Sequence, residues 1–414
     1  MPKKKETRER KPPALTKTGS AGYALNKADG IRKPLGKSSL DESRLLEQEE
    51  VAAALRRAEE KAPDLRNAAP ASVVPGERGD GVFRISFIQM GKGDCTIMCT
   101  PGGKVIMIDC GSSDREEDQA AFTARVKGVL QSTAYLRNTT TIDIVILTHG
   151  DKDHWGQLST ILKGFALPTV YHSGYIGDYG GANRWLQRNA DSVKSVILSK
   201  DGDIGENTLA GQPILPVQEG VSMDERLDAD VGLVVVAEAE TNFRVTLLAA
   251  SVSHAYVQDD DAQDLKNRGS IVTLIEVSGK KFLISGDATK ATEAFLLRRP
   301  TRAARIANVD VVQVGHHGSD LTSSSQNWVN QLRPVERVIV STTKVGPSGY
   351  SLPRAPVIRR YLQRFVTNGR PADPASHPIS TWDLTQSTTA PIELAADQPV
   401  YSTGSSGTQT ITIP

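Results

Sequence analysis

The sequence predicts an α/β protein in which two sheets are covered by helices. Apolar runs of strand length recur along the chain, helical patterns fall between them, and strands come both singly and as hairpins with no fixed repeat. With 414 residues, 38% of them hydrophobic, the chain can bury a sizeable core and still leave a segment outside it. No run approaches the ~18 consecutive apolar residues that a membrane helix needs, so no membrane role is expected.

Residues 1–38 are rich in Lys, Gly, Pro and Ser and show no apolar period, which predicts a disordered arm. The first 40 residues hold 11 basic and 3 acidic side chains, a net +8; the whole chain is +1, so the remainder carries −7. A basic arm on an acidic body suits attraction of polyanions. From Ser39, an N-cap candidate, Leu45, Leu46, Ala52, Leu55 and Ala58 recur at near-helical spacing and predict an amphipathic helix over 39–62. That helix and the arm together could recruit a protein partner. Pro63 and the Ala/Pro stretch 68–75 mark a linker over 63–80, and the folded domain is expected at 81–414.

Within that domain Phe83, Ile85 and Phe87 alternate as a half-buried strand. Strands 94–100 and 104–109 flank the turn Pro101-Gly-Gly, helix 115–131 follows, and strand 142–147 leads into a helical pattern at 155–163. Further strands are predicted at 168–172, 193–198, 231–237, 243–250, 270–277, 281–285, 309–314 and 336–341. Helices are predicted near 181–190, 289–299, 324–332 and 355–366, and the Thr-rich tail 379–414 supplies closing strands. The start Met-Pro-Lys-Lys-Lys lacks the apolar stretch of a secretory signal, and Cys95, Cys99 and Cys110 are too few for a disulfide framework. Both features point to a soluble cytoplasmic protein.

Chemistry concentrates at strand ends. The apolar strand 142–147 runs into Thr148-His149-Gly-Asp151-Lys-Asp153-His154, four potential metal ligands within six residues. Two imidazoles and two carboxylates form a hard-to-borderline donor set that suits Zn²⁺ or Mn²⁺. Strand 309–314 runs into Gly-His316-His317-Gly-Ser319, and strand 281–285 ends in Gly-Asp287. A lone His pair or a lone Gly-Asp turn says little; three strand ends delivering His and Asp in a fixed order say much more. Gly91-Lys-Gly93 precedes a strand rather than a helix, which excludes a phosphate loop there.

In this order the motifs resemble the metallo-β-lactamase superfamily, whose pattern is His-x-His-x-Asp-His with a later His, a bridging Asp and a final His. They are most similar to the soluble hydrolase domain of ComEC-type DNA-uptake proteins. The similar segments are 87–94, 101–111, 148–156, the run Asn267-Arg-Gly-Ser, Leu283-Ile-Ser-Gly-Asp287, and His316-His-Gly-Ser with 323–325 after it. The resemblance implies an αββα four-layer sandwich and a centre of two divalent metal ions, Zn or Mn. It implies one ion on His149 and Asp151, the other on Asp153, His154 and one of His316 and His317, with Asp287 bridging. Asp151 stands where the superfamily has its second His, which enriches the first site in oxygen and moves preference toward Mn²⁺ or Mg²⁺. The middle His is not obvious: His254 fits the superfamily's strand order better than His172. Catalytic roles are implied for Asp153, His316 and His317, with Ser319 on a substrate phosphate and Asp109 on the site floor.

The function implied is metal-dependent hydrolysis, foremost of phosphodiesters in nucleic acid or nucleotides. Hydrolysis of small esters, thioesters or lactams is the second possibility, and a binding module recruited through the arm is the third.

Overall fold

Strand β1 (Phe83–Phe87) forms where the alternation predicts it, with Phe83, Ile85 and Phe87 buried. It belongs to a computed structural model that describes residues 79–112, 116–136, 140–174, 176–198, 208–209, 212–213, 223–228, 231–252, 265–334, 336–342, 352–367, 378–383, 388–393 and 399–414. The expected arm, the helix 39–62, most of the linker and His254 lie outside these residues.

Strands β2 (Thr96–Cys99), β3 (Val105–Ile108) and β4 (Ile144–Leu147) are buried on both faces, which their unbroken apolar runs foretell. They continue through β5 (Thr169–Ser173) and β6 (Val193–Leu198). Beyond a two-residue hairpin, β7 (Thr208–Leu209) with β8 (Gln212–Pro213), β9 (Met223–Leu227) forms one edge. The eight-stranded order is β19-β1-β2-β3-β4-β5-β6-β9, where β19 (Gln409–Ile413) is the last strand of the chain; pairing is antiparallel up to β3 and parallel beyond it. The second sheet joins β10 (Leu233–Glu238), β11 (Phe243–Ala249), β12 (Val272–Val277) and β13 (Lys280–Ile284) antiparallel. It then runs parallel through β14 (Val311–Gln313), β15 (Arg337–Val340) and β18 (Val400–Ser402). A separate hairpin pairs β16 (Pro378–Asp383) with β17 (Thr388–Glu393).

The two sheets face each other. Ile106, Ile108, Ile144 and Ile146 share one core with Phe243, Val245, Leu274 and Phe282, and the Phe83 ring lies 5.6 Å from Phe243 and 5.3 Å from Phe282. The opposite face of the first sheet packs Val105, Met107, Val145 and Leu147 on Phe122 and Val126 of helix Glu116–Leu130 and Leu186 of helix Gly180–Asn189. Helices Lys290–Arg298, Gln326–Leu332 and Ala355–Thr367 cover the second sheet. The layers therefore run helix, sheet, sheet, helix.

Three elements depart from expectation. The helix expected at 155–163 is two single turns, Lys152–Trp155 and Leu158–Ile161, because the Gln157 N–H goes to the Cys110 carbonyl (3.0 Å) instead of continuing the helix. Pro300 ends one helix but also opens another, Pro300–Arg305, at the position where a missing N–H costs nothing. The edge strand β9 reads Met-Asp-Glu-Arg-Leu, with no apolar alternation to announce it.

Candidate metal centre

Parallel strands bring their C-terminal ends to one rim, and that rim carries the site. β3 delivers Asp109, β4 delivers Thr148 to His154, β13 delivers Asp287, β14 delivers His316 and His317, and β15 delivers Ser341. Backbone hydrogen bonds tie the loops together: Asp94 N to Asp153 O (3.1 Å), Cys110 N to His154 O (2.7 Å), Ile271 N to Thr148 O and His316 N to Gly286 O (both 3.0 Å). Glycine is required at this close approach, since a Cβ on Gly111 would lie 2.4 Å from the Asp153 carbonyl carbon.

Each imidazole has a partner that assigns its proton. His317 Nδ1 lies 2.9 Å from the Ser341 carbonyl, which only accepts, so Nδ1 carries the hydrogen. His154 Nδ1 likewise donates to Asp109 Oδ2 at 2.7 Å. Thr148 gives its hydroxyl proton to Asp109 Oδ2 (2.6 Å), leaving Oγ1 to accept from His149 Nδ1 at 3.2 Å. Thr322 gives its proton to Ser319 Oγ (2.9 Å), leaving Oγ1 to accept from His316 Nδ1 at 2.6 Å. All four rings thus carry a proton on Nδ1 and turn Nε2 toward Asp287, where it offers a lone pair whenever the ring is neutral.

Asp287 divides the centre. Its Oδ1 lies 3.2 Å from His154 Nε2 and 3.7 Å from His317 Nε2; its Oδ2 lies 3.9 Å from His149 Nε2 and 3.6 Å from His316 Nε2. Asp153 Oδ2 adds to the first group, 3.7 Å from His317 Nε2, and Asp151 Oδ2 adds to the second, 3.8 Å from His149 Nε2. The Nε2 atoms of His149, His154 and His317 and Oδ1 of Asp287 are buried without a hydrogen-bond partner. Four orphaned, convergent donor atoms of this kind are costly unless a cation sits among them, so the residues fit divalent metal.

Electrostatics make the same demand. Burial opposes charge on Asp287, yet His154, His317 and His316 hold its carboxyl well below the usual range. Burial likewise opposes ionisation of Asp153, and the charges of His154 and His317 beside it still hold it below its ordinary value. Against burial, Asp287 and Asp109 hold His154 well above its ordinary value, while Asp287 and Asp153 lift His317 to about 10. His149 goes the other way, pushed well down by burial and by the charge on His154. Buried carboxylates require compensating positive charge here, and imidazolium or a cation can supply it.

Seven expected residues meet at the centre: His149, Asp151, Asp153, His154, Asp287, His316 and His317. Asp151 is at the mouth, 41% exposed, with Lys266 Nζ 3.3 Å from its second oxygen. Ser319 stands behind His316, its hydroxyl oxygen taken by Thr322. His172 does not join them. It pairs with Leu147 across parallel strands and so shares that residue's face, toward the helices, where its ring lies 5.6 Å from Tyr179. As an alternative middle ligand it is excluded by the direction of its side chain.

Asp94 was not expected. It is buried, and one ligand atom each from Asp94, His154, Asp287 and His317 lies within 4.8 Å of the others. Gln313 Nε2 donates to its Oδ1 at 2.7 Å, and its Oδ2 lies 3.9 Å from His154 Nδ1. Asn267 and Thr322 on His316 were missed as well, although Asn267 and Asp94 both stand in segments that carry the family resemblance.

The family model of the metallo-beta-lactamase superfamily matches residues 89–341, more than half of the chain, and the chain belongs to that superfamily. Curated relatives agree with the ComEC-type resemblance. ComE operon protein 3 of Bacillus subtilis is 25% identical over 266 residues, which are 62% of this chain and 28% of that protein. Recombination protein 2 of Haemophilus influenzae is 25% identical over 284 residues, 68% of this chain and 27% of that protein. The chain thus spans about a quarter of the length of these relatives. Among solved structures, the short form of human tRNase Z aligns over 62% of this chain and 92% of its own, with 13% identity and a TM-score of 0.36. Among the described residues no helix is long and apolar enough to cross a membrane.

Proposed function

We propose that the chain is a phosphodiesterase acting on nucleic acid or nucleotides through two divalent cations, Zn or Mn. The division of Asp287 carries the reading: each of its oxygens faces a separate pair of imidazoles and a separate aspartate. His149 and Asp151 would hold one ion, Asp153, His154 and a histidine of the 316/317 pair the other, and Asp287 would touch both. When bound, such cations supply Lewis acidity toward water and toward a phosphoryl oxygen. The residues do the rest. Asp109, Thr148, Ser341 and Thr322 keep every Nδ1 proton in place, so the Nε2 lone pairs stay directed inward. Asp94 turns one carboxylate oxygen to the same cavity while Gln313 fixes the other. Ser319 keeps its own hydroxyl proton for a substrate phosphate.

Phosphodiester is favoured over carboxylic ester by three features: the oxygen donor Asp151 where the superfamily has His, the cationic Lys266 at the mouth, and the basic arm, net +8 over residues 1–40. The name Recombination protein 2, borne by one relative, is in keeping with a nucleic-acid substrate.

The test incubates full-length protein and Mn²⁺ or Zn²⁺ with single- and double-stranded DNA, RNA and cyclic nucleotides, alongside a neutral ester, thioester and lactam panel. Cleavage of at least one phosphodiester, lost in the Asp153→Ala plus His154→Ala variant, is expected. Turnover confined to the neutral panel would move the assignment to ester-type hydrolysis, and inertness on both would favour a binding module.

A further inference from the structure

His316 and His317 are consecutive and both occupy the left-handed region, φ 47° and ψ 49° followed by φ 50° and ψ 21°. Side chains other than Gly, Asn and Asp rarely stand there, and two bulky rings in succession do so only where the surroundings hold them. Here the effect of the double turn is to bring both rings to one cavity, with centroids 6.4 Å apart. They do not address the same oxygen. His317 Nε2 faces Asp287 Oδ1 (3.7 Å) beside His154 and Asp153, whereas His316 Nε2 faces Asp287 Oδ2 (3.6 Å), the oxygen that His149 Nε2 also faces (3.9 Å).

The hydrogen-bond chain behind His316 is built for ligation. Its Nδ1 proton goes to Thr322 Oγ1 (2.6 Å), whose own proton goes to Ser319 Oγ (2.9 Å), so Nε2 can only accept. Asn267 Nδ2 donates to it from 3.3 Å, a long neutral contact that a cation would displace. His172, the described alternative for a middle histidine, faces the other layer.

Resting on the two-cation reading, we infer that His316 is the third protein ligand of the first ion, together with His149 and Asp151, in the place expected for His254. The histidine pair then supplies one ligand to each ion. The pair's exposure accords with this division: His317 is 5% exposed and His316 18%, so the side of the centre that carries Asp151 and His316 is the more open one.

Metal content separates the possibilities without any substrate. Full-length wild type, His316→Ala, His317→Ala and His254→Ala are loaded with Mn²⁺, desalted and measured for ions per chain, with the Mn–Mn coupling read by electron paramagnetic resonance and folding checked by circular dichroism. Two coupled ions are expected in wild type and in His254→Ala, and one uncoupled ion in His316→Ala and in His317→Ala. Should His316→Ala fail to fold, Thr322→Val keeps the ring and removes its Nδ1 partner; one ion should then bind ~10–100-fold more weakly, the cost of losing such a support. Loss of an ion in His254→Ala, or two coupled ions at wild-type affinity in His316→Ala or Thr322→Val, overturns the inference and leaves the two-cation reading standing. A wild type that holds fewer than two ions overturns both.

Discussion

Asp109 sits behind His154 and decides where that ring carries its proton. It accepts the Thr148 N–H (2.8 Å), the Thr148 hydroxyl (2.6 Å) and His154 Nδ1–H (2.7 Å), from a backbone with φ of 56°. Asp109→Asn keeps the shape and removes the charge, so metal affinity should fall ~10–100-fold with the fold retained; unchanged affinity by titration would show that the carboxylate does not support His154. Glu293 acts one layer further out. Its two oxygens accept the N–H groups of Ser324 (2.5 Å) and Ser325 (3.0 Å), in the loop after the histidine pair, while Arg360 donates to the Ser324 carbonyl. Burial pushes its carboxyl from 4.5 to about 7, although the Ser325 and Ser324 donors and Lys290 pull the other way. A carboxyl raised on folding stabilises fully below its unfolded value, and the contribution is lost as pH rises through the folded one. Stability should therefore fall by on the order of 3 kcal/mol between pH 4.5 and well above pH 7 on this account. Urea unfolding of wild type and Glu293→Gln across that range tests it: the variant should lose this part of the slope, and an identical slope in both would assign the pH dependence elsewhere.

At the scale of elements, glycine chemistry distinguishes the stitched loops from the plain helix. Gly111 lies against the Asp153 backbone, where an added Cβ would meet the carbonyl carbon at 2.4 Å; Gly128, in helix Glu116–Leu130, has nothing within 4 Å. Gly111→Ala must push apart the loops that carry Asp94 and Asp153, and should cost ~1–3 kcal/mol together with metal affinity. Gly128→Ala should gain ~0.5–1 kcal/mol by removing a helical glycine. Thermal melts of the two variants check both signs, and equal effects would mean that the loop contact is not tight. Elements also mark how far the sequence is legible. β1 to β4 and the three ligand-bearing strand ends could be read because apolar periodicity ends abruptly in His and Asp. β9 could not, since its polar run at a sheet edge buries too little to impose a pattern. Nor could Asp94 be given a role: its approach to the centre depends on the Asp94 N–Asp153 O bond and on Gln313 from the second sheet, contacts between loops far apart in sequence.

Across the whole molecule, two facing sheets direct their parallel strands at one rim, and side chains from both sheets close around Asp287. The histidine tautomers, the orphaned Nε2 atoms and the anionic centre are three consequences of that convergence, and all three are in keeping with the proposed pair of cations. Anomalous diffraction at the Mn or Zn edge from crystals of the metal-loaded protein tests this most directly. Two peaks are expected, one on each side of the Asp287 carboxylate, one beside His149 and Asp151 and the other beside Asp153, His154 and His317. A single peak, or peaks away from these side chains, would contradict the account.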